Sequence, residues 1–246
     1  MVAPSETHIH SPVVYPERDG QPMADNTQQF RWITVIHFNI EWQFANDPNV
    51  FVASDLLWYP VEGQPKIRQA PDVMVAFGRP KGDRGSYLQW QEENIAPQVV
   101  FEIRSPGNRQ KEMDKKLLFY DRYGVEEYYL YDPDRHDLSG WLRREGRLEA
   151  IDNIETWVSP RLQIRFEWTE TELKLDRANG EPFSSYAEVQ AQLDRTRQAL
   201  ESERQRAESE RQRAESERQR AESERQRADR LAERLRQMGI DPEELQ

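Results

Sequence analysis

The chain of 246 residues contains no cysteine, which removes disulfides, thiolate zinc sites and cysteine nucleophiles and fits a reducing compartment. It has no apolar run long enough to cross a membrane, and residues 1–20 lack the apolar centre of a signal peptide. A soluble, cytoplasmic protein is the expectation. Aromatic residues are missing from the last quarter, because all 7 Trp, 9 Tyr and 9 Phe lie ahead of residue 187. The first three quarters therefore has material for a core and the remainder does not, in keeping with a mean hydropathy of −0.98. Positive charge is also in short supply: 34 Lys and Arg against 45 Asp and Glu leave a formal net charge of −11. That balance argues against broad attraction to nucleic acid, leaves room for a local basic patch, and suits carboxylates that gather a divalent cation.

Three regions follow from composition. Residues 1–25 are rich in Pro, Ser and Asp and read as a flexible arm; His8 and His10 fall in it and are expected to be solvated. Residues 26–182 carry the periodic segments. Phe30, Ile33, Ile36, Ile40 and Phe44 predict a helix begun by Asp25 or Asn26, ending near Ala45. Strands are predicted over Val50–Tyr59, interrupted at Ser54-Asp55, and over 72–77, 99–104, 127–131 and 162–168. A hairpin is predicted over 138–151, turned at Glu145-Gly146, and a helix over 110–123, closed by Gly124. Strand, helix and strand in that order imply a crossover, a partly parallel sheet and an α/β class.

Residues 183–246 form the third region. With Tyr186 at heptad position a, the seam runs through Leu193, Leu200, Ala207, Ala214, Ala221, Ala228 and Leu235, and position d holds Val189, Thr196, four glutamates from Glu203 to Glu224, Leu231 and Met238. One frame persists through the repeat AESERQR. Two outcomes stay open, a coiled coil paired at its apolar ends and a largely solvated single helix of roughly 80 Å.

The segment from Pro71 to Asp132 places acids where apolar periodicity would exclude them. PDVMVAFG puts Asp72 at the mouth of a strand, and VVFEIRSPGN places Glu102 inside another, with Arg104 two residues on and hence on the same face. A carboxylate between Val99, Val100, Phe101 and Ile103 is paired or ligating once buried. Asp72 and Glu102 on neighbouring strands suit Mg²⁺, which takes carboxylate oxygens and water. The accompanying cation is either Arg104 or Lys116 of the following helix, where Glu112 shares its face; a guanidinium is a poor proton acceptor. Blander readings stand beside these: Asp72 as a turn residue, Glu102 paired to Arg104 alone, Lys116 as a surface lysine. Asp55 reads as a turn or bulge residue. Arg79, Lys81 and Arg84 with Tyr87 and Trp90 form either a nucleic-acid grip or an ordinary loop.

Asp72 in PDVMVAF, Glu102 in VVFEIRSPGN, and the runs EMDKKLLFY and GVEEYYLYDP resemble the bacterial Uma-type restriction endonuclease family, a branch of the PD-(D/E)xK nuclease superfamily. The resemblance spans roughly residues 30–168. It implies a restriction-endonuclease-like core, a mixed central sheet flanked by helices. Asp72 would match the first superfamily carboxylate and Glu102 the second, and Arg104 stands where the superfamily has its lysine, with Lys116 as a migrated substitute. Glu41 would match an extra helical carboxylate and serve as a further metal ligand.

The leading reading is thus an endonuclease that hydrolyses phosphodiester bonds of nucleic acid, DNA foremost. Asp72 and Glu102 bind Mg²⁺ or Mn²⁺, Lys116 assists the water, and Arg104 steadies the carboxylates or the phosphate. The alternative is a catalytically inactive nuclease-fold scaffold that recruits partners through its coiled coil. No membrane partner is expected, and the apolar ends of the heptad frame predict a homodimer.

Overall fold

The structure, a computed structural model, describes residues 13–18, 20–168 and 173–239. His8 and His10 lie outside the described residues. The chain divides into two units, Met1–Tyr186 and Ala187–Gln246.

In the first unit, helix α1 (Thr27–Gln43) is started by Asn26, whose Oδ1 accepts the backbone N–H of Gln29 at 2.8 Å. Its buried stripe is Ile33, Ile36 and Ile40, at three-to-four spacing. Six strands form the central sheet: β1 (Val50–Ala53), β3 (Val73–Phe77), β5 (Val99–Ile103), β6 (Glu127–Asp132), β7 (Asp137–Arg144) and β8 (Arg147–Ala150), in the order β1-β3-β5-β6-β7-β8. β5 and β6 pair in parallel through the crossover helix α2 (Gln110–Tyr123), and the other neighbours are antiparallel. The sheet is mixed and the fold is α/β, as its strand-helix-strand pattern predicts. Gly124 ends α2 at φ 94°, where its N–H reaches Tyr120 O. The β7–β8 turn takes positive φ at both Glu145 (47°) and Gly146 (86°), matching the twist of a two-residue hairpin.

Alternation along the strands divides the core into two faces. Val73, Val75, Val99, Phe101, Ile103 and Tyr129 pack on the side of α1, joined there by β9 (Arg165–Trp168) and its antiparallel partner β10 (Leu173–Asp176). Met74, Ala76, Val100 and Tyr128 face the other way, against Tyr120 of α2 and Trp58. Trp58 lies in β2 (Trp58–Tyr59), which pairs in parallel with β4 (Tyr87–Leu88). Rings of Trp58, Phe119, Tyr120 and Tyr128 contact one another there, each pair adding about 0.5–1.5 kcal/mol beyond area burial.

Two segments make definite contacts. In the described part of the N-terminal arm, Tyr15 packs against Tyr59 and Trp90, and Pro16 O accepts the Tyr59 hydroxyl at 2.6 Å. The basic 79–84 segment is not a set of free cations. Arg79 and Arg84 converge on Glu92 at 2.9 and 2.6 Å, and the Arg84 guanidinium covers the Phe51 ring at 3.9 Å. A buried glutamate thus consumes the charge that sequence alone leaves available.

In the second unit, α3 (Tyr186–Gln237) is one helix of 52 residues with none buried. Its glutamines donate to glutamates one turn earlier, as Gln205 does to Glu201 at 3.3 Å.

Candidate active site

Register builds the site. β3 and β5 pair with Val73 opposite Phe101, so one further step sets Asp72 opposite Glu102 at the sheet end, on the face that carries Met74 and Val100. The Asp72 Oδ2 accepts the Ile103 N–H at 2.6 Å, which ties the two strand ends together. Glu102 is 2% exposed. Its Oε2 accepts Lys116 Nζ at 2.7 Å and its Oε1 accepts the Tyr120 hydroxyl. Lys116 and Tyr120 are four apart on α2, so one helix face delivers both donors to one carboxylate.

Arg104 goes elsewhere. Its Nε lies 3.7 Å from Asp132 Oδ2 on β6 and its Nη1 donates to Gln110 Oε1 at 3.3 Å, so it braces the corner between β5 and α2 and leaves Glu102 to Lys116. Glu41 is not brought to the pair either. It sits in the last turn of α1, 3.6 Å from His37 Nε2, and among the described residues no three His, Asp or Glu side chains gather as a metal group. The α1 residue at the site is Gln29, which sequence reasoning missed. Buried, it donates from Nε2 to Ile103 O at 2.8 Å and accepts the Asp25 N–H on Oε1 at 2.8 Å, and its amide draws the nearby Asp72 carboxyl downward. Its only signal is a position three residues past the helix cap, in the first turn.

The SPGN run closes the corner. Asn108 Oδ1 accepts the Ser105 N–H at 2.9 Å, and the Ser105 hydroxyl donates to Asp25. The end of β5 is thereby fastened to the start of α1, which holds Gln29 on the Ile103 carbonyl.

Electrostatics follow from burial. Burial and then the charge of Glu102 push the Asp72 carboxyl well above the usual range, against the opposing pull of Lys116, the Ile103 N–H and Gln29. Burial alone would lower the Lys116 ammonium, but Glu102 and Asp72 outweigh it and hold the group above the ordinary lysine value. Burial and Glu102 likewise raise the Tyr120 phenol. The cluster therefore holds two carboxylates against one buried ammonium.

A hard divalent cation fits that donor set. Mg²⁺ binds through one or two carboxylates, its remaining positions filled by water and phosphate oxygens, and here an added positive charge would relieve the crowding that pushes the Asp72 carboxyl up. Tyr128, fully buried on the same face and within the field of both carboxylates, has a hydroxyl with no hydrogen-bond partner among the described residues. A buried phenol left so is a group that a bound water or ligand would satisfy. Asp72 and Glu102 would hold the ion.

Comparison with known proteins bears on the same region. The chain is similar to a solved structure from Anabaena variabilis described as a "putative nuclease belonging to DUF820", at 17% identity over 55% of this chain and 72% of that one, with a TM-score of 0.41. No curated protein matches it. The model of the family described as "Uma2: Putative restriction endonuclease" matches residues 22–176, a span that includes Gln29, Asp72, Glu102, Lys116 and Tyr120. With well over half its length so matched, the chain belongs to the Uma2 restriction endonuclease family.

Proposed function

We propose that the 26–182 domain is an endonuclease that uses Mg²⁺ or Mn²⁺ to hydrolyse phosphodiester bonds of DNA in the cytoplasm. The observation that carries this reading is the placing of Asp72 opposite Glu102 with Lys116 Nζ 2.7 Å from Glu102. When bound, the ion would supply charge to the phosphate and acidify an attacking water. The protein's own groups do the positioning. Tyr120 and Lys116 fix the two oxygens of Glu102, and the Ile103 N–H fixes Asp72, with Gln29 holding the Ile103 carbonyl. Lys116, kept protonated at neutral pH, acts as a charge and hydrogen-bond donor to a phosphate oxygen or the water, and not as the base. Arg104 acts at one remove, by holding the start of α2 through Gln110.

The test is cleavage of plasmid and linear DNA, with RNA alongside, by purified protein with Mg²⁺, Mn²⁺ or EDTA. Metal-dependent cleavage that Asp72→Ala and Glu102→Ala abolish is the expected result; cleavage unchanged by either removes the assignment. A second reading, an inactive nuclease-fold scaffold that recruits partners through α3, draws support from the missing third metal-binding side chain among the described residues. Titration calorimetry separates the two: no Mg²⁺ or Mn²⁺ binding and no cleavage favours the scaffold. For either reading we propose a homodimer joined through the apolar ends of α3.

A further inference from the structure

At the edge strand β1 lies a cleft of about 320 Å³, lined from α1, β1 and residues 81–84. Its walls include Val50, Val52, Leu56 and Lys81. Three of its side chains form a chain of contacts that the nuclease reading does not use. Ser54 Oγ lies 2.9 Å from His37 Nδ1, and His37 Nε2 lies 3.6 Å from Glu41 Oε2. Ser54 is presented at the end of β1 by a turn in which Asp55 takes φ 51°. His37 and Glu41 are four apart on α1 and so share a face.

One tautomer serves both contacts. Nδ1 accepts from the Ser54 hydroxyl only when the ring proton sits on Nε2, and Nε2–H then points at the Glu41 carboxylate. Burial lowers the imidazole, with Glu41 opposing, which favours the neutral ring. The spacing to Glu41 is long for a hydrogen bond, as base-to-acid contacts often are before substrate binds and the ring gains charge. An oriented hydroxyl, a neutral imidazole and a carboxylate opening on a partly apolar cleft make an activated nucleophile.

From this geometry we infer that Ser54, His37 and Glu41 form a second hydrolytic site, one that takes small carboxylic esters. Ser54 Oγ bonds to the carbonyl carbon while its proton passes to His37 Nδ1. The bond to the alcohol oxygen then breaks, and that oxygen takes the proton from His37. Water enters by the same route, its proton going to His37 and then to Ser54 as the acyl bond is cut, so acid and alcohol leave and the serine is restored. Val50, Val52 and Leu56 accommodate the hydrocarbon part, and Glu41 offsets the charge on the imidazolium.

The experiment uses the full chain with a fluorophosphonate probe, peptide mass mapping of the adduct, and p-nitrophenyl acetate as substrate. An adduct on Ser54, ester hydrolysis above background, and loss of both in Ser54→Ala are expected. His37→Gln keeps an amide in hydrogen-bond range of Ser54 but cannot take its proton, so labelling should slow by about 100-fold or more with the melting temperature little changed. No adduct on Ser54 in the wild-type chain overturns the inference, as does equal labelling of His37→Gln. A merely structural Ser54–His37 contact would give that first outcome, with stability alone falling in the variants.

Discussion

Lys116 and Asp72 should affect stability in opposite directions, and that contrast tests the charge count of the site. Lys116→Met keeps length and apolar bulk but removes the partner of a carboxylate that is 2% exposed. At 2.7 Å and an effective dielectric constant of 20, the attraction lost is about 6 kcal/mol before desolvation is counted. Desolvation of the ammonium offsets part of it, so the net cost should be about 3–5 kcal/mol, the usual result of stranding one member of a buried pair. Asp72→Asn instead removes a charge that burial and Glu102 already disfavour, while the amide oxygen still accepts the Ile103 N–H. Relieving such a site typically adds about 0.5–2 kcal/mol. Because the folded carboxyl is raised, its share of stability is complete below the ordinary carboxylate range and is lost as pH rises through the raised value. The gain from Asp72→Asn should therefore grow from mildly acidic to neutral pH. Thermal denaturation in EDTA reads both, at roughly 2–4 °C per kcal/mol for a domain of this size. Melting temperatures that move the same way in the two variants would refute the arrangement of charges described here.

Metal affinity should rise with pH, because ion binding to Asp72 must displace a proton held more tightly than usual; calorimetry in buffers of different ionisation enthalpy should show proton release, and its absence would mean Asp72 is not a ligand. Tyr128→Phe should leave stability unchanged or raise it by about 1 kcal/mol, since it deletes a buried hydroxyl without a partner, whereas Tyr120→Phe should cost about 1.5–3 kcal/mol by removing a bond to Glu102; denaturant titration checks both. In α3, Arg residues occupy positions e and g on either side of the alanine seam, so like charges face each other in a pair and association falls to Leu193, Leu200, Leu231 and Leu235. Sedimentation of the full chain should show a dimer that truncation after Pro182 abolishes; an unchanged mass would place any dimer contact elsewhere.

How far the sequence reached depended on whether a residue's role follows from its own segment. Periodicity set α2, β5 and β6 within a residue, and spacing on one helix made Lys116 a candidate beside Arg104. The choice between them was not local: Arg104 is drawn off by Asp132 from the next strand and by Gln110. The strand β10 was invisible because LKLD is short and takes its meaning from pairing with β9. Glu41 suggested itself through the family resemblance as the extra helical acid, yet the α1 turn that reaches the end of β5 is the first, where Gln29 stands. This difference has a measurable consequence. Gln29→Glu replaces the amide that donates to Ile103 O, and that draws the Asp72 carboxyl downward, with a third carboxylate near two others. Without metal the variant loses that donor and gains repulsion, so it should be less stable by about 2–4 kcal/mol at neutral pH, a loss that shrinks as acid protonates the cluster. With Mn²⁺ the added carboxylate should recover part of that loss by tighter binding of the ion to the folded state. A Gln29→Glu protein as stable as the wild type in EDTA at neutral pH would show that position 29 does not act on the carboxylate pair and that the third position of the site lies elsewhere.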